Sequence, residues 1–238
     1  MTTLSDPWSF FDQIYCISID TRYDRRTEAK NHFSEAGLLD RVEFILVTKH
    51  PNNPEKGIFE SHMNCLKKGL EAGAKNILVF EDDVFFQNYH PEKLTDAVRF
   101  LKNKKNWNGF FLGAIIGKIM QTEVQSVVKI QYSCLAHAYA LNRSFAREFV
   151  QEPWNNLPYD NLLKKRGKEF YALSPMIAFQ GRASSDNKTV FLDRMRRAFG
   201  GLPFIQRVSE FYQYHKRILV YSHVILAFLL LTLLGILL

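Results

Sequence analysis

The stretch NILVFEDDVFF, Asn76 to Phe86, constrains the fold more than any other part of this sequence. Four apolar residues, Ile77, Leu78, Val79 and Phe80, run straight into three acids and then back into apolar residues. A short continuous apolar run predicts a strand buried on both faces, as in the middle of a parallel sheet. Side chains alternate along a strand, so Glu81 and Asp83 point one way and Asp82 the other. Carboxylates so placed suit a hard divalent cation, Mg²⁺ or Mn²⁺. Such ions bind one or two carboxylates plus a ligand's phosphates, and open α/β sheets bind ligands at the carboxyl ends of their strands. The competing reading is an acidic surface loop after a core strand, and the flanking chain decides between the two.

That chain has a βα rhythm. Gln13 to Asp20 alternates and is rich in isoleucine, which predicts the first strand; Arg25 to Ala36 is a helix stopped by Gly37. Arg22, Arg25 and Arg26 cluster where that helix meets the ligand edge of the sheet, a place for phosphate contacts or for an ordinary solvated face. Val42 to Val47 is a second strand, and HPNNPEKG a loop. A helix follows from Ile58 to Gly73 and opens with Ser61 and His62, a helix start and packed imidazole rather than a catalytic pair. Pro91 to Leu101 is a helix, GFFLGAII a strand, and Val127 to Asn142 a strand and its neighbour, with His137 as a core histidine. Asp160 stands where a helix N-cap would, and Glu169 to Asp186 is a strand that turns at Pro175 into a polar loop.

Length and hydrophobic content, 238 residues and 47%, allow one α/β domain with a small appendage. Three cysteines, an odd number without a CxxC, suggest neither a disulfide framework nor a zinc site. The net charge of +7 comes with no recognition motif for nucleic acid, which is excluded as a partner. From Ile218 to Leu238 no charge interrupts an apolar run of about 21 residues, roughly 31 Å of helix, which predicts a transmembrane anchor. No signal peptide opens the chain, and arginines and lysines precede the run. The expectation is a single-pass C-terminal anchor in the inner (cytoplasmic) membrane with a cytoplasmic catalytic domain. The boundaries are then 1–188 for the domain, 189–217 for a basic amphipathic membrane-proximal segment, and 218–238 for the anchor.

Five blocks in order, IYCISID with its arginines, GIFESHMNCLKKGLEAGAKNILVFEDDVFF, CLAHAYALN, LPYDNLL and SPMIAFQGRASSD, resemble glycosyltransferase family 25, the lipopolysaccharide and procollagen galactosyltransferase group. The resemblance runs from Ile14 to about Asp186, and its specific part is the Ser-His helix followed at fixed spacing by the strand and the acids. It implies a GT-A type, single Rossmann-like domain with a mostly parallel sheet. It also implies a UDP-sugar donor, galactose in the first instance, transferred with inversion. Asp82 and Asp83 then become the Mn²⁺ or Mg²⁺ ligands, and Arg22, Arg25, Arg26, Ser61, His62, Glu81, Gln180 and Ser185 the donor-binding set. Ser184 and Asp186 share the last block. An inverting displacement needs a carboxylate that takes the acceptor's proton, for which Asp160 is the candidate. With the anchor, the acceptor becomes a lipid-linked glycan or lipopolysaccharide. A catalytically silent, membrane-anchored binding protein that kept the fold is the alternative.

Overall fold

The structure is a computed structural model that describes residues 6–181 and 201–237. In chain order its elements are β1 (Gln13–Ile19), α1 (Tyr23–Glu35), β2 (Val42–Val47), α2 (Pro54–Glu71), β3 (Asn76–Glu81), β4 (Val84–Phe86) and α3 (Pro91–Asn103). There follow β5 (Gly109–Gln121), β6 (Val127–Asn142), α4 (Arg143–Phe149), α5 (Tyr159–Arg166), β7 (Phe170–Leu173), β8 (Ala178–Gln180) and α6 (Gly201–Leu237).

Six strands form one sheet in the order β2-β1-β3-β6-β5-β7, and β4 pairs with β8 in a small second sheet. β2, β1 and β3 are parallel; β6 runs against β3 and β5; β5 and β7 are parallel. The α/β sheet is therefore mostly parallel, with β6 as the reversed strand. Ile77, Leu78, Val79 and Phe80 are fully buried, as their continuous apolar run requires. Leu78 and Phe80 face one core, with Phe33 and Leu94; Ile77 and Val79 face the other, with Leu66 and Tyr139.

Several boundaries differ from expectation. α2 begins at Pro54, inside the expected loop, because the Asn53 side chain accepts a hydrogen bond from the Lys56 amide and Pro54 fits the first helical position. The two expected strands between Val127 and Asn142 are one, β6, whose pairing with β5 slips in register between Phe111 and Lys118. Gly113 lies at the slip because a β-carbon there would stand 2.0 Å from the Ala178 carbonyl oxygen. Leu135 adopts φ 72°, a left-handed conformation that interrupts β6 near its middle.

The membrane anchor is not met. Among the described residues no helix is long and apolar enough to cross a membrane. α6 is long, but Tyr221, Ser222 and His223 break the run that starts at Ile218, whereas hydrocarbon demands about 20 predominantly apolar residues. The expected location in the inner membrane loses its basis with the anchor. The first turns of α6 pack on the sheet: Gln206 Nε2 donates to the Ala178 carbonyl at 2.9 Å, Ser209 Oγ to the Ile116 carbonyl at 3.2 Å, and Glu210 accepts from the Met176 amide at 3.0 Å. Residues 189–200 of the expected basic segment lie outside the described residues.

Candidate active site

β3 delivers Glu81 at the carboxyl edge of the sheet, and Asp82 and Asp83 form the two-residue turn into β4. Two backbone bonds fix that turn: Asp82 donates its amide to the Ile17 carbonyl at 3.0 Å, and the Gly181 amide donates to the Asp83 carbonyl at 2.6 Å. The acids are thus held between β1 and the end of β8.

Asp82 and Asp83 are buried side by side with one guanidinium. Arg25 Nη1 is 3.5 Å from Asp82 Oδ1 and 3.6 Å from Asp83 Oδ2. Asp82 Oδ2 and Asp83 Oδ1 are buried without a hydrogen-bond partner among the described residues. Burial pushes the Asp83 carboxyl up to about 7, with the Glu81 charge adding and Arg25 and Gln180 opposing. Burial also raises Asp82, against the Ser18 hydrogen bond and Arg25. Anionic oxygens stripped of water and left unpaired are what a bound cation or a donor's counter-charge would satisfy. Among the described residues no group of three or more His, Cys, Asp or Glu is placed to hold a metal ion. A metal here would therefore have to rest on Asp82 and Asp83 plus oxygens brought by a ligand, a set that Mg²⁺ and Mn²⁺ accept.

Glu81 points to the opposite side of the strand from Asp82, as alternation requires, and shares Gln180 with Asp83. Gln180 Nε2 donates to Asp83 Oδ2 at 3.0 Å and to Glu81 Oε2 at 3.4 Å. The other Glu81 oxygen is 3.2 Å from His62 Nε2, whose Nδ1 is 3.0 Å from the Tyr139 hydroxyl. That hydroxyl in turn meets the Tyr159 hydroxyl, and the Tyr159 ring stacks on the imidazole at 4.2 Å. Burial pushes His62 down to about 4 and Glu81 up to about 8, the charges of Asp160 and Asp82 adding to the rise. Both directions favour an uncharged pair, with the proton on Glu81 and His62 neutral. His62 is thus more than a packed imidazole, because it fixes the orientation of Glu81.

The three arginines take different partners. Arg25 pairs with both aspartates; Arg26 donates to Ser18 Oγ and to the Ile19 and Asp20 carbonyls, and Arg22 pairs with Asp24 at 2.8 Å. Ser61 Oγ donates to the Gly57 carbonyl at 2.7 Å inside α2, a local helix bond. Ser184, Ser185 and Asp186 lie outside the described residues.

Asp160 is not the N-cap of α5; Pro158 holds that position. Its carboxylate instead accepts from the Tyr132 hydroxyl at 2.5 Å, the Leu135 amide at 2.9 Å and the Ala136 amide at 3.1 Å. These bonds clamp β6 where Leu135 breaks its regular geometry. Alternation alone missed Tyr132, Tyr139 and Tyr159, although Tyr139 and Tyr159 stand inside the CLAHAYALN and LPYDNLL blocks. Beside the aspartates opens a cavity of about 500 Å³, lined by Glu28 and His32 of α1, Gly181, and Pro203, Phe204 and Arg207 of α6.

Residues 46–163 match the model of glycosyltransferase family 25 (LPS biosynthesis protein). They are a glycosyltransferase family 25 domain. The match takes in α2 with Ser61 and His62, β3 with the acidic turn, β6 and Asp160; Arg25 and Gln180 fall outside it. A bovine (Bos taurus) relative named "Probable inactive glycosyltransferase 25 family member 3" is 23% identical over 84% of this chain, which spans 37% of that relative's length. Among solved structures, a glycosyltransferase involved in glycosylation of the major capsid of PBCV-1 aligns over 67% of this chain and 79% of its own, at 10% identity and TM-score 0.42. UDP-glucose pyrophosphorylase complexed with UDP-glucose aligns over 73% and 80%, at 13% identity and TM-score 0.38. Likenesses this distant carry no argument about the site.

Proposed function

We propose that this family 25 chain is an active glycosyltransferase of GT-A type that transfers a sugar, galactose in the first instance, from a UDP-linked donor to a glycan with inversion. The observation that carries the reading is the buried Asp82–Asp83 turn, with an oxygen on each carboxylate unpartnered among the described residues and Arg25 against both. Packing alone gives no reason to desolvate two carboxylates beside each other, and one guanidinium shared between them balances a single negative charge, which leaves a second for a ligand's positive charge to meet.

Asp82 and Asp83 would hold Mn²⁺ or Mg²⁺ together with the donor's diphosphate. When bound, the ion neutralises the charge that grows on the departing diphosphate. Arg25 adds a fixed positive charge at the same place. Gln180 sets the mutual position of Glu81 and Asp83, and His62 with Tyr139 and Tyr159 keeps the Glu81 carboxyl turned toward Gln180. Inversion also requires a base for the acceptor hydroxyl. Asp160 is proposed for it on the order of the family blocks, and to serve it would have to loosen its hold on Tyr132. A lipid-linked or lipopolysaccharide acceptor is supported by the family's description alone. The name of the bovine relative favours a second reading, a silent binding protein that retains the fold.

The test is UDP release from a panel of UDP-sugars with Mn²⁺, with and without EDTA, by the full chain and by Asp83→Asn. Consumption of one donor, lost with EDTA and in the variant, supports the enzyme. Donor binding without consumption supports the silent protein, and consumption by Asp83→Asn refutes the role given to that residue.

A further inference from the structure

A second cleft, of about 700 Å³, opens on the other side of Arg207, which lines both cavities. Its walls come from four places distant in sequence: α3, the β5–β6 turn, Ser174–Pro175 after β7, and the middle of α6. Nothing in the reading of the acidic turn uses it.

Two buried hydroxyls in this cleft lack partners among the described residues. Ser126 is 8% exposed and its Oγ has no hydrogen bond; the Tyr214 hydroxyl is likewise buried and unpaired. A hydroxyl shut away from water without a partner is costly, and proteins pair nearly all of them. Glu210 lines the same cleft, is raised by burial, and accepts from the Met176 amide through one oxygen. Phe211 is exposed on the same wall and offers an aromatic face.

Charge narrows the ligand. Lys93, Arg207 and His215 line the cleft together with Asp96 and Glu210, so neither a polyanion nor a cation meets a uniform field. A neutral molecule whose groups both donate and accept, and whose ring faces are apolar, satisfies hydroxyls, carboxylates and an aromatic ring at once. That is the chemistry of a saccharide.

We infer that this cleft binds the glycan acceptor, at its end away from the reacting hydroxyl, with Ser126 and Tyr214 as hydrogen-bonding residues. The inference rests on the transferase reading for its biological meaning, since an acceptor site that adjoins the aspartates across Arg207 lets one glycan reach from cleft to donor.

Binding is measured apart from turnover. Saturation-transfer NMR on the full chain uses galactose, glucose, lactose and maltose as probes, with UDP-glucose as a reference for the other site. At least one saccharide is expected to bind, and the Ser126→Ala/Tyr214→Phe double variant to bind it about tenfold more weakly or worse, as the loss of two hydrogen bonds predicts, with UDP-glucose binding unchanged. Each change removes one hydroxyl and keeps the rest of the side chain, and the circular dichroism melt should match wild type. Absence of saccharide binding, or equal binding by wild type and variant, overturns the inference. Failure of UDP release in the wild type sinks the transferase reading and leaves this measurement standing.

Discussion

Replacing Asp160 by asparagine separates a clamp from a base. In the folded chain the carboxylate accepts from Tyr132 Oη and Ala136 N on one oxygen and from Leu135 N on the other. An asparagine can place its oxygen on one side only. If it faces Tyr132 and Ala136, its amide group meets the Leu135 N–H, donor against donor; if it turns round, the Ala136 N–H is left without an acceptor. Either way one backbone donor goes unsatisfied and a bond to a charged group is lost, a cost of about 1.5–3 kcal/mol. For a chain of this size that corresponds to about 3–12 °C in Tm. The site makes the cost hard to avoid, because Leu135 is already held at a positive φ that few side chains favour. The assay is paired: thermal unfolding and donor consumption on the same preparation. A clamp predicts a lower Tm with turnover close to wild type below the melting range. An unchanged Tm together with a rate loss on the order of a hundredfold would falsify the clamp and establish proton transfer.

Three further outcomes are expected. Asp83→Asn removes a charge whose Oδ1 is buried and unpartnered among the described residues, so it should raise Tm at pH 7.5 by about 4–8 °C, from about 2 kcal/mol of relieved desolvation, while abolishing donor consumption; a lower Tm refutes the account of that carboxylate. His137 is pushed down to about 4 by burial and donates Nε2–H to the Ala178 carbonyl. Its unfolded form takes a proton below about 6.5 that the folded form refuses, so its stabilising contribution is present above that pH and lost as pH falls toward 4. Urea unfolding of wild type and His137→Gln, which keeps a donor, should therefore shift in favour of the variant by about 2 kcal/mol between pH 7 and pH 5, and a gap independent of pH contradicts this. Ending the chain after Arg217 leaves the Gln206, Ser209 and Glu210 bonds in place, so Tm should stay within about 2 °C of the full chain; a larger fall means the remainder of α6 belongs to the fold.

Local pattern was enough for the frame of this protein. Alternation and apolar runs depend on residues within a few positions of each other. They placed β1, β2 and β3, put the three acids at the carboxyl end of β3, and set His62 on the helix before them. The working partners were beyond that range. Gln180 reaches Asp83 across 97 residues, His62 meets Tyr139 across 77, and Asp160 clamps β6 across 25. Such pairs exist only once strand order and register are settled, and the register slip opposite Gly113 and the left-handed Leu135 depend on packing that no window of sequence contains. The same limit explains the C-terminal helix. Counting apolar residues from Ile218 onward says nothing of how Gln206, Ser209 and Glu210 engage the sheet earlier in that helix, because those bonds are made with carbonyl and amide groups of strands and loops folded from elsewhere in the chain.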